Sequence, residues 1–146
     1  MKKILTLIVC LLTIQLSIKA SDDRRIELSQ LPAQSQQWIK THFQDQSVAL
    51  VKMESELFFK SYEVIFTNGD KIEFDKNGNW EEVNCKYTQV PNTVIPVQIQ
   101  NYISKSYPET KVRKIEKERR DRYEVELTNG LDLKFDSKFN LIDIDN

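Results

Sequence analysis

The sequence predicts an α+β fold in which two tandem units, each a short helix followed by four antiparallel strands, share one sheet and pack both helices on one of its faces. Three observations carry this expectation. A stretch of 14 residues occurs twice, as Tyr62 to Asp75 and Tyr123 to Asp136, with 8 of 14 positions identical. Ahead of each copy, apolar residues recur at helical spacing. A single unit of about 60 residues would bury little, whereas two units joined in one sheet supply a sufficient core.

The match between the copies extends upstream of the hairpins. Leu31-Pro32 aligns with Ile95-Pro96 at an offset of 64, and Trp38, Ile39 and Phe43 then meet Tyr102, Ile103 and Tyr107. At the hairpins the offset is 61, so the second copy is three residues shorter just before Tyr123, where the first has Glu56-Leu57-Phe58-Phe59. A length change confined to one short stretch marks a loop. Leu31, Ser35, Trp38, Ile39 and Phe43 share one helical face, as do Ile95, Ile99, Tyr102, Ile103 and Tyr107. Proline suits the first position of each helix because its missing N–H would have had no partner there. Pro108 ends the second.

Strand periodicity follows each helix. Val48 to Met53 and Lys111 to Glu116 are the first strands, and Tyr62 to Thr67 and Tyr123 to Thr128 alternate outward Glu with inward apolar residues. Thr-Asn-Gly turns each chain, since Asn and Gly tolerate the positive φ of tight hairpins. Ile72 and Phe74, like Leu133 and Phe135, return on the same face. Trp80 to Val83 and Asn140 to Ile144 are the last strands. Glu63, Glu73, Glu124, Glu126, Lys71 and Lys134 point outward, which predicts one sheet face open to water.

Residues 1–20 have the grammar of a cleaved secretory signal: basic Lys2-Lys3, an apolar run from Ile4 to Leu16, and Ala20 before Ser21. The run is shorter than the roughly 20 residues that cross a bilayer and is interrupted by Thr13 and Gln15. Cleavage after Ala20 leaves 126 of the 146 residues, with 18 basic and 22 acidic side chains once Lys2, Lys3 and Lys19 are gone. That balance lacks the footprint of a nucleic-acid binder. Residues 21–30 read as a linker, 31–84 as the first unit and 85–146 as the second. Cys85 alone remains as a thiol and reads as a buried, inert one.

Little in the chain suggests catalysis. His42 is the one histidine, it lies near a helix end, and its counterpart is Ser106; no nucleophile signature accompanies it. Asp75-x-Asn77-Gly78-Asn79 resembles the start of a calcium loop, but its twelfth position is Lys86 and the second copy lacks the Gly, so a hairpin turn accounts for the spacing. No cofactor and no metal are expected. The candidate binding residues are Phe58 and Phe59 at one hairpin tip, Trp80, and Arg119, Arg120 and Arg122 in a basic stretch that begins at Lys111. Adjacent Phe58 and Phe59 in extended chain point to opposite faces, so one of them stays exposed unless a loop covers it.

The order Leu-Pro, a helix with Trp-Ile or Tyr-Ile, then Tyr-Glu-Val, Thr-Asn-Gly and Phe-Asp resembles the PepSY-like family of secreted proteins, whose fold is related to beta-lactamase inhibitor protein. The likeness covers residues 28–145. It implies a two-layer α+β fold with a curved antiparallel sheet, a periplasmic or surface location, and a role in binding or inhibiting another protein. It brings no catalytic residues, and no motif here matches the inhibitor's partner-binding residues. The expected function is therefore a secreted, non-catalytic module that binds a protein or peptide of the cell envelope through its open sheet face, with peptidase inhibition as one form. The alternative is a periplasmic protein for a small ligand or calcium. After signal cleavage no stable membrane span is expected.

Overall fold

A computed structural model describes residues 23–146; the proposed signal and its cleavage point lie outside the described residues. The described residues form one antiparallel sheet of nine strands in sequence order, β1 to β9, with two α-helices. The helices are α1 (Ala33–His42), which precedes β2 (Val48–Glu56), β3 (Phe59–Phe66), β4 (Lys71–Asp75) and β5 (Trp80–Asn84), and α2 (Val97–Ser106), which precedes β6 (Val112–Glu118), β7 (Arg122–Leu127), β8 (Asp132–Phe135) and β9 (Leu141–Asp145). Pro32 and Pro96 sit one residue before the helices rather than inside them. The segment read as a linker contributes β1 (Arg24–Arg25), paired with Lys52 and Met53 of β2, and a 3-10 turn at Leu28–Gln30.

Alternation along the strands sorts the sheet into two faces. One face carries Val51, Val64, Ile72, Val83, Ile115, Val125 and Leu133, each directly opposite the next across successive strands, all buried. Burying an aliphatic side chain of this size contributes about 1.5–3 kcal/mol, so this row is the spine of the core. Both helices cover it. Trp38 of α1 meets Phe74 edge-on at 5.7 Å between ring centroids, and Tyr102 of α2 meets Phe135 in the same way at 5.6 Å. Ile39 and Phe43, with Ile99 and Ile103, complete the contact.

The turn between β4 and β5 docks on α1. Gly78 has φ +91° and lies so close to α1 that a Cβ there would fall 2.7 Å from Pro32 Cβ and 2.8 Å from Ser35 Oγ. Ser35 Oγ in turn donates to the Gly78 carbonyl at 3.1 Å. Asp75 anchors this turn: its Oδ1 accepts from the Asn77 and Asn79 N–H groups at 2.8 and 2.9 Å, and its Oδ2 accepts from Asn79 Nδ2 at 2.9 Å. The carboxylate is spent on the turn.

Candidate functional site on the open sheet face

The face that neither α1 nor α2 covers is charged. One residue along from the core row, the registers place Lys52, Glu63, Glu73, Glu82, Glu116, Glu124, Lys134 and Asp143 opposite one another from β2 to β9. Five glutamates thus stand side by side on five adjacent strands, a row about 19 Å long at the usual strand spacing. Like charges directly opposite destabilise a sheet by up to about 1 kcal/mol per pair, so an arrangement with four such pairs in succession is not one that stability alone would favour.

Lysines offset part of that repulsion. Glu63 accepts from Lys71 and, at 3.2 Å, from Lys52. Burial works against its charge, but the two ammonium groups outweigh burial and hold its carboxyl below the ordinary value. Lys114 Nζ lies 3.1 Å from Glu82 and 3.0 Å from Glu116. Burial disfavours the Lys114 charge, yet the two carboxylates prevail and raise its pKa. Glu73, at the middle of the row, has no ion-pair partner among the described residues. Burial first, and then the Glu82 charge, push its carboxyl above the ordinary value.

At one end of this face the β2–β3 hairpin projects. Its pairing runs two residue pairs beyond Ser61, to Glu56 opposite Phe59, and its tip is apolar and exposed: Leu57, Phe58 and Phe59 are 89%, 86% and 76% accessible. The shorter β6–β7 hairpin carries Arg119, Arg120 and Arg122, all exposed. Arg120 and Asp121 adopt φ of 64° and 55°, a left-handed conformation that residues with a side chain rarely take. Elsewhere in the basic stretch Lys114 is paired as above and Arg113 with Glu126 at 3.4 Å. Trp80 belongs to the opposite side of the sheet. Its ring lies 5.9 Å from that of Trp38, with Lys117 Nζ 4.0 Å from its centroid, so it closes the rim of the core.

The register also reveals residues that the sequence did not single out. Glu82 and Glu116 join the row only because β5 and β6, separated in sequence by α2, lie side by side. Asp70 is a second case. It follows Asn68-Gly69 in a turn but is fully buried, and its Oδ2 accepts from Asn68 Nδ2 and Thr88 Oγ1 at 2.8 Å and from Gln46 Nε2 at 3.1 Å. It ties the β3–β4 turn to the loop after α1 and to the chain leading to α2. Nearby Cys85 is buried, and burial together with the Asp70 charge pushes its thiol up to about 12. Such a thiol is a poor nucleophile.

His42 contacts Thr93 Oγ1 through Nδ1 at 2.8 Å and stacks near Trp38, and burial lowers its pKa. Among the described residues no group of three or more His, Cys, Asp or Glu side chains is placed to hold a metal ion. No helix among them is long and apolar enough to cross a membrane.

Comparison with known proteins fits this architecture. The chain is 60% identical to a "putative calcium-regulated periplasmic protein" from Bacteroides thetaiotaomicron, whose crystal structure superposes with a TM-score of 0.83 over 86% of this chain and 98% of that one. A periplasmic protein of the DUF2874 family from Bacteroides vulgatus is 56% identical, with a TM-score of 0.83 over 87% and 99% of the two chains. A further Bacteroides vulgatus periplasmic protein, of unknown function, is 35% identical, with a TM-score of 0.79 over 85% and 99%. No curated protein matches the chain. The periplasmic location of these relatives agrees with the compartment expected from residues 1–20. The family described as "Putative beta-lactamase-inhibitor-like, PepSY-like" matches residues 60–143, and the chain belongs to that PepSY-like family.

Proposed function

We propose that this chain is a non-catalytic binding module of the periplasm, exported by a cleaved signal and built from two copies of one α-β4 unit (31–84 and 85–146), that holds a protein partner on its open sheet face. The observation that carries this reading is the glutamate row. Four like-charged cross-strand pairs, from Glu63–Glu73 to Glu116–Glu124, weaken the sheet on the face that neither α1 nor α2 covers. A partner surface bearing lysine or arginine would relieve the repulsion and gain charge-assisted contacts. Phe58 and Phe59, projecting from the β2–β3 tip, supply an apolar anchor beside the charged face. Inhibition of a peptidase is the form of binding that the family resemblance suggests.

The test is affinity capture from the cell envelope with the mature chain, followed by a salt titration. A specific partner whose capture declines as ionic strength rises, and is lost when Phe58 and Phe59 are changed to Ser, supports the reading. Failure to recover any partner, together with unchanged turnover across a panel of envelope peptidases, contradicts it. A second reading, a calcium-responsive protein, draws on the description of the relative from Bacteroides thetaiotaomicron. It predicts that millimolar Ca2+ raises the melting temperature; the same melting curve with and without Ca2+ removes it.

A further inference from the structure

A cleft of about 620 Å3 opens where β4, β5 and β6 meet the β6–β7 turn. Glu73, Glu82 and Glu116 form its floor, and Arg119, Arg120 and Arg122 its rim. Lys114 already serves Glu82 and Glu116. Among the described residues Glu73 has no cation partner, and none of the three arginines has an acidic one. Glu73 and the three arginines therefore share one cleft without pairing, although ion pairs form readily elsewhere on the same face. Space between them suits a ligand that is itself bipolar.

We propose that this cleft binds a ligand carrying both a cationic group and a carboxylate, with the cation on the glutamate floor and the carboxylate on the arginine rim, the chemistry of a peptide chain that ends in lysine or arginine. The inference rests on the reading of the open face as a binding surface and assigns one corner of that face a chemical class. A cation at Glu73 breaks no existing ion pair. It also removes the repulsion from Glu82 that, after burial, raises the Glu73 carboxyl. At the rim, guanidinium groups match a carboxylate in planar, two-point geometry.

Titration calorimetry on the mature chain tests this with four probes: the acetylated tripeptide Ala-Ala-Lys, its C-terminal amide, its norleucine analogue, and free lysine. Saturable binding of the first is expected, weakened about tenfold or more by loss of either the carboxylate or the ammonium group. Glu73→Gln and the double change Arg119→Ala with Arg122→Ala should each weaken it several-fold, while Asn101→Ala on α2 leaves it unchanged. Free lysine binding as tightly as the tripeptide identifies a free amino acid as the source of this chemistry, and much weaker binding identifies a chain end. Equal binding of acid and amide, or no saturation by the tripeptide at about 10 mM, overturns the inference. A captured protein partner that binds Glu73→Gln and the arginine variant as it binds wild type overturns this cleft while leaving the open-face reading intact.

Discussion

The two halves of the sheet solve the same packing problem with different side chains at three corresponding places. Phe74 under Trp38 and Phe135 under Tyr102 are alike in burial and in edge-on geometry. The turns above them differ: Gly78 in the first half lies hard against Pro32 and Ser35, whereas Phe139 in the second takes the same left-handed conformation at φ 64° and stacks 5.5 Å from Tyr123. After the Asn-Gly turn the first half has buried Asp70, hydrogen-bonded to the chain that leads to α2, and the second has partly buried Leu131. The hairpin tips diverge most, with Leu57 to Phe59 in one and Arg119 to Arg122 in the other. Core-facing strand positions, the Asn-Gly turns and the outward Glu63 and Glu124 are alike; the β4–β5 and β8–β9 turns, the hairpin tips and the residue that joins the halves are not.

Substitutions in the matched positions should break this comparison first. Phe74→Ala and Phe135→Ala are each expected to cost about 3–5 kcal/mol in chemical denaturation, and a cost for one that is several-fold smaller would end the equivalence of the halves. Asp70→Leu, which gives the first half the residue of the second, strands the donors of Gln46, Asn68 and Thr88 and should cost about 2 kcal/mol. Gly78→Ala should cost about 1–3 kcal/mol because the position combines positive φ with a close approach of α1. Phe139→Gly should stay within about 1 kcal/mol, since relief of the left-handed strain offsets the lost contact with Tyr123.

Smaller effects, of opposite sign, are expected along the glutamate row. Glu73 has its carboxyl raised by burial and by Glu82, so its charge opposes folding at neutral pH, and that cost disappears as pH falls through the raised value. Glu73→Gln should stabilise by about 0.5 kcal/mol at pH 7 and have no effect below the ordinary carboxylate range. Glu63 is the reverse: its depressed carboxyl contributes stability above the ordinary carboxylate value, lost as pH falls through the depressed one. Glu63→Gln should therefore destabilise at pH 7, by no more than about 1 kcal/mol because solvent screens the partly exposed lysines. Melting curves across pH check both signs.

The helices and hairpins were legible because their signals are local. Helical spacing identified Ile39 and Ile103, and alternation around Asn68-Gly69 and Asn129-Gly130 identified the strands and their inward faces. Glu63, Glu73 and Glu124 were legible as outward residues for the same reason. The row was not, because it depends on β5 and β6 being neighbours across α2 and on a bulge that shifts Phe74 against Trp80. Asp70 reads as an ordinary turn residue until Gln46 and Thr88 close over it. Trp80 reads as a binding candidate in the sequence because the same bulge, which turns it toward Trp38, leaves no local signal. Arg24–Arg25 is too short to show a period, and only its partners on β2 make it a strand.

On the proposed function the open sheet face, not the helical layer, meets the partner. Photo-crosslinking in intact cells tests it most directly, with a photoreactive residue placed at Glu82 or Glu124 on the open face and, for comparison, at Gln37 or Asn101 on the exposed sides of α1 and α2. A discrete higher-mass adduct is expected from Glu82 and Glu124 and none from Gln37 and Asn101. Adducts from the helix positions with none from the sheet would contradict it.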